Sequence, residues 1–104
     1  MVLIQLLLPT SAGGGSDRAV ADTRRELAER FGGLTAYVRT PAEGDWTSPA
    51  GVRERDTVVM VEVVATSFDR GWWRPYVARL ATRFGEQAIH VRALPVELLD
   101  PDAA

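Results

Sequence analysis

Thr57-Val-Val-Met-Val-Glu-Val-Val-Ala65 decides the fold. A β-branched run without Gly or Pro fits a pleated, buried strand better than a helix. Successive side chains alternate between two faces. One face therefore carries Val59, Val61, Val63 and Ala65 and is wholly apolar. The other carries Val58, Met60, Glu62 and Val64. A strand apolar on both faces needs cover on both. Glu62 is the exception, and it is the first candidate for a function.

Upstream lies Pro41 to Asp56, a connection rich in Pro, Gly and charge that contains Trp46. So long a loop in a small domain is often functional or disordered. Trp46 reads either as a side chain folded over the core edge or as part of a lid or partner contact. Before it, Leu34 to Thr40 alternates as a strand, with Leu34, Ala36 and Val38 opposite Thr35, Tyr37 and Arg39.

Downstream, Ser67 or Asp69 can cap a helix. Trp73, Val77, Leu80 and Phe84 form its buried stripe, with Trp72 and Tyr76 to one side. Pro75 predicts that regular helix begins near Arg74, after an irregular turn that includes Gly71. Trp72 is then surplus to the core and available to a pocket or interface. Gly85 stops the helix. Ala88 to Ala93 reads as a strand with His90 and Arg92 on one face. The tail beyond Leu94, roughly residues 95–104, is apolar at Val96, Leu98 and Leu99, and its end is expected to fray.

The N-terminal run Val2 to Leu8 alternates Leu3, Gln5 and Leu7 against Val2, Ile4, Leu6 and Leu8. It lacks the positive flank of a signal peptide and is too short to span a bilayer, so a strand in a cytoplasmic protein is expected. Pro9 to Ser16 reads as a flexible connector; its glycines match neither dinucleotide- nor phosphate-loop patterns. Ser16 is placed to cap a first helix. Val20, Thr23, Leu27 and Phe31 recur at helical spacing, Arg24, Arg25, Glu29 and Arg30 face outward, and Gly32-Gly33 ends the element.

With 104 residues the chain is expected to be one domain, residues 1–104, able to bury a core without disulfides or metal. Its formal net charge of −2 gives no broad footprint for nucleic acid. All twelve basic residues are Arg, and Cys is absent. Thiol nucleophiles, iron–sulfur ligands and Schiff-base lysines are therefore excluded within the chain. One His gives no His-rich metal site. No cofactor, metal, membrane or nucleic-acid partner is expected.

The element order β-α-β-β-α-β is that of the ferredoxin-like α+β class: a four-stranded antiparallel sheet, order 4-1-3-2, with two helices on one face. Giving each strand's cleaner apolar face to the helices gathers Gln5, Tyr37, Arg39, Glu62, His90 and Arg92 on the other. Leu3, Leu7, Val58, Met60 and Val64 surround them. So apolar a face calls for cover, and a homodimer with two sheets facing across a cavity provides it.

At the level of element order the chain resembles the dimeric α/β-barrel proteins, which include cofactor-independent oxygenases, haem-degrading enzymes and dismutating enzymes. Phe31-Gly-Gly-Leu-Thr35, Trp46, Asp69-Arg70 with Trp72-Trp73, and Val91-Arg-Ala93 also resemble a family of small uncharacterised bacterial proteins. That resemblance implies the fold and no known activity.

Two functional readings follow. In one, the cavity binds a small anionic or aromatic molecule. Glu62 is its acid/base or anchor, Arg39 and Arg92 fix an anionic group, and Gln5, Tyr37, His90, Trp46 and Trp72 complete the lining. In the other, the face is a non-catalytic subunit contact. There Glu62 pairs with Arg39 on the neighbouring strand and His90 with Gln5 or backbone. No residue cluster defines a reaction, and whether the chain is an enzyme is left open by its sequence.

Overall fold

The structure, a computed structural model, describes residues 1–10, 16–33, 35–39 and 57–99, with residues 35–39 and Thr57 described by their backbone. In chain order the elements are β1 (Val2–Thr10), α1 (Asp17–Phe31), β2 (Thr35–Arg39), β3 (Thr57–Ala65), α2 (Arg70–Phe84) and β4 (His90–Pro95). The protein is α+β. Its strands form one antiparallel sheet in the order β2-β3-β1-β4, matching the order expected from sequence.

The alternation assigns the core face correctly. Ile4, Leu6, Leu8, Val59, Val61 and Val63 lie buried against Leu27 of α1 and Trp73, Tyr76 and Leu80 of α2. Both helices therefore cover the same side of the sheet. Burying one large aromatic removes ~150–250 Å² from water, so Trp73 alone contributes roughly 4–6 kcal/mol of gross stabilisation. Phe31 stacks on Trp73 at 5.5 Å, tying the end of α1 to the start of α2.

The helix ends follow from their capping residues. Asp69 is the N-cap of α2, its carboxylate accepting from the backbone N–H of Gly71 at 3.1 Å and Trp72 at 3.3 Å. Ser16 stands at the N-cap position of α1 as expected, but its side chain makes no capping hydrogen bond; its carbonyl accepts the first helical bond, from Val20 N–H at 2.9 Å. Gly32 and Gly85 close the two helices with φ of 77° and 67°, a left-handed conformation in which a Cβ is strained.

Several boundaries differ from the sequence reading. β1 runs on through Pro9 and Thr10, paired to Val58 and Thr57. Pro9 is tolerated there because the first residue of β4, His90, pairs with Leu7 and, among the described residues, no strand lies beyond it on that side of β1. β4 begins at His90 rather than Ala88 and ends in Pro95, admissible because β4 is an edge strand. Ile89, just before it, is buried.

The larger correction concerns α2. It starts at Arg70, so Pro75 lies inside it instead of marking its first turn. Pro75 removes a single N–H, the one that would reach Gly71. The Asp69 cap and the buried Trp73, Tyr76 and Leu80 outweigh that loss. Tyr76, expected beside the stripe, is only 2% exposed and belongs to the core. The glycine-rich connector at 11–15, the 41–56 connection with Trp46, and residues 100–104 lie outside the described residues.

Candidate functional site

The sheet face away from the helices carries a polar row across three strands. Register sets Gln5 opposite Glu62 on β3 and opposite Arg92 on β4. Arg92 Nε donates to Gln5 Oε1 at 2.6 Å, and Gln5 Nε2 donates to Glu62 Oε2 at 2.6 Å. A carboxamide presents an acceptor at one end and donors at the other. It therefore bridges a cation and an anion two strands apart, roughly 10 Å. The network fixes the orientation of the amide: oxygen toward the guanidinium, nitrogen toward the carboxylate.

Apolar side chains flank this row on both sides. Leu3 and Leu7 neighbour Gln5 on β1, and Val64 and Met60 neighbour Glu62 on β3. Leu3, Leu7 and Val64 are half-buried, Met60 is buried, and Leu94 is 41% exposed. Alternation places Leu3, Leu7, Met60 and Val64 on this face, as expected from sequence; Leu94, expected at the start of the tail, joins them because β4 runs on to Pro95.

Their pairings differ from expectation. Arg39 stands opposite Val58, so it lies about 13 Å along the strand from the Glu62 position it was expected to meet. The residue across from Glu62 on β2 is Thr35, and its hydrogen-bond partner is Gln5. His90 stands opposite Leu7, and Gln5 is engaged by Arg92. Period alone assigns faces; the stagger between strands, which chooses partners, is set by non-local packing. Tyr37 takes the register position opposite Met60, on the same face as the row. Trp46 lies outside the described residues.

Trp72 sits elsewhere. α2 places it in the helical layer, on the opposite side of the sheet from the row. It stacks on Tyr76 at 4.8 Å, meets Phe31 edge-on at 5.5 Å and carries the Arg30 guanidinium over its ring at 4.9 Å. Its surplus area is used between α1 and α2.

A second polar cluster escaped the sequence reading. Arg83 donates from Nη1 and Nη2 to the two carboxylate oxygens of Glu26, at 2.7 and 2.8 Å. Tyr76 O–H donates to Glu26 Oε1 at 2.9 Å, and Arg83 Nη1 also reaches Thr23 Oγ1 at 3.0 Å. Thr23, fully buried, donates its own hydroxyl hydrogen bond to the Ala19 carbonyl at 2.7 Å. Hydrogen bonding from Arg83 holds the Glu26 carboxyl below its ordinary range, against the opposing effect of burial. Burial, then the Glu26 hydrogen bond, pushes the Tyr76 phenol up. Near neutral pH the cluster is a filled ionic clamp between the helices, with no proton ready to move. Tyr76 at i+3 from Trp73 and Arg83 at i+3 from Leu80 were the available signals, each on the flank of the buried stripe.

Among the described residues, no group of three or more His, Asp or Glu side chains could hold a metal ion. No helix among them is long and apolar enough to cross a membrane. Compared with protein-family models, curated proteins and solved structures, the chain finds no match in any of the three.

Proposed function

We propose that this chain is a ferredoxin-like subunit of a homodimeric α/β barrel, whose sheet face away from the two helices encloses a site for a small anionic or aromatic molecule. The observation that carries the reading is the Arg92–Gln5–Glu62 row, charged at both ends and set among leucines and valines on the face away from the two described helices. Large apolar faces are costly in water, and pairing two of them removes both. Within the enclosed space Arg92 anchors an anionic group, Glu62 accepts a proton or hydrogen bond from the ligand, and His90 supplies a further polar group. The setting expected from the sequence is the cytoplasm.

A second reading makes the face a contact with no ligand. It is favoured by one specific observation: Gln5 already satisfies Arg92 at Nε and Glu62 at Oε2 without any added group. Glu62→Gln separates the two. A ligand site loses affinity while the dimer persists; a purely structural row changes stability and nothing else.

Native mass spectrometry of the purified protein tests the assembly and its contents together. A dimer carrying extra mass is the expected result, and the mass identifies the ligand class. A bare dimer leaves the contact reading. A monomer at micromolar concentration overturns both.

A further inference from the structure

We infer that the two sheets meet about a twofold axis running parallel to the strands over Gln5, so that Arg92 of each copy pairs with the partner's Glu62. The inference rests on the homodimer part of the reading above and specifies the geometry of its second, ligand-free form, in which Arg92 and Glu62 are engaged by the partner rather than by a bound molecule.

Two identical sheets can face each other only if the twofold axis lies in the plane between them. The direction of that axis decides which residues meet. The row runs across the strands, with Arg92 on β4, Gln5 on β1 and Glu62 on β3. An axis along the row would stack Arg92 on the partner's Arg92 and Glu62 on the partner's Glu62. Burying like charges opposite each other is unfavourable twice over. A diagonal axis would cross the strands at right angles and press Arg92 onto the partner's β1 leucines, with no acceptor. An axis along the strands reverses the row end for end. It sets cation over anion twice and leaves Gln5 above the partner's Gln5.

The same axis matches the flanking residues. Distances along the strands are preserved, so the layer of Leu3, Val64 and Leu94 meets its own copy, while in the next layer His90 beside Leu7 lies over the partner's Met60 position, a side chain already buried within its own chain. Leu94, 41% exposed in the single chain, then covers the partner's Val64. Sheets packed face to face lie ~10 Å apart, a gap that an extended Arg and a Glu together span. The atoms needed are at hand. Gln5 takes only Nε of Arg92 and only Oε2 of Glu62, leaving the terminal guanidinium nitrogens and Oε1 for the partner. Among the described residues, the intrachain ion pairs are Arg25–Asp22 and Arg83–Glu26, and neither uses this row.

Charge reversal tests the register. Sedimentation equilibrium is run on the wild type, Arg92→Glu, Glu62→Arg and the double exchange, with circular dichroism confirming that each is folded. Each single reversal should raise the dimer dissociation constant at least tenfold, and the double exchange should return it to within a few-fold of wild type. Wild type that is monomeric overturns the homodimer itself. A wild-type dimer whose single reversals associate as tightly as it does keeps the dimer and overturns this register; so does a double exchange that fails to restore association.

A second measurement does not depend on charge. The chain has no cysteine, so Arg92→Cys and Glu62→Cys variants each carry one thiol. A bismaleimide spanning roughly 10 Å should join the two variants when mixed and join neither to itself. Self-linking of either variant at the same rate overturns the proposed axis.

Discussion

Arg83 grips Glu26 through both terminal nitrogens, at 2.7 and 2.8 Å, across the gap between α1 and α2. Fork-to-fork geometry of this kind is the strong form of a charged hydrogen bond. Both side chains are partly exposed, 26% for Arg83 and 34% for Glu26, so water screens part of the attraction. Arg83→Met should therefore lower stability by about 1–2 kcal/mol, between the values for exposed and buried pairs. Urea unfolding at pH 7 reads the change. A double-mutant cycle with Glu26→Gln should show coupling, and strictly additive losses would contradict the clamp.

The same clamp makes stability depend on pH in two windows. Glu26 has its folded pKa below the ordinary 4.5, so the unfolded chain takes up the proton first as pH falls. Its contribution is complete above about pH 4.5 and disappears on acidification through the lower, folded value. Glu26→Gln should flatten this acid limb of the urea midpoint. Tyr76 has its folded pKa raised above 10.0, so its contribution is complete below that pH. Above it the unfolded chain releases the phenolic proton and the native state is disfavoured. Ultraviolet titration should show a phenolate signal that appears only as the chain unfolds in alkali. A tyrosine titrating normally with Tyr37 replaced by Phe would contradict the burial of Tyr76.

Pro75→Ala should stabilise the protein. The residue lies inside α2 and is exposed, so its ring contributes little packing while its missing N–H leaves a gap in the helix. Alanine restores that bond, and the penalty for Pro in a helix interior is about 3 kcal/mol. Loss of the ring's restriction on the unfolded chain offsets part of the gain. A net rise of about 1–2 kcal/mol is expected from thermal or urea unfolding. An unchanged midpoint would show that the helix has already adjusted around the ring.

Gly85→Ala isolates the backbone contribution of a helix end. Gly85 adopts φ 67°, and a Cβ built there would meet nothing within 4 Å. Packing is thus unaffected, and the cost is conformational, about 1 kcal/mol. Its N–H bonds the Thr82 carbonyl at 3.1 Å and Glu86 N–H bonds the Ala81 carbonyl at 2.9 Å, a pattern that needs the left-handed turn. A loss well above 2 kcal/mol would mean that α2 and β4 shift together.

Much of the fold was legible because strand alternation and helix periodicity are local. The valines at 59, 61 and 63 and the row residues Gln5, Glu62 and Arg92 fell on their correct faces from spacing alone. The start of α2 was misjudged because proline propensity was weighed without the burial of Trp73 and Tyr76, which overrides it. The Glu26–Arg83 pair was missed because the two residues are separated by 57 positions and meet through the packing of two helices.

The sequence by itself determined which residues share a surface. Side-chain direction repeats every two residues in a strand and every 3.6 in a helix, whatever the rest of the chain does. Only the tertiary structure decided who touches whom. Gln5, across the strand pair, holds Glu62, and Arg83, from the neighbouring helix, holds Glu26. Partner choice follows the stagger of one strand against another and the placement of one helix on its neighbour. Both are settled by the whole core packing at once, and no local period encodes them.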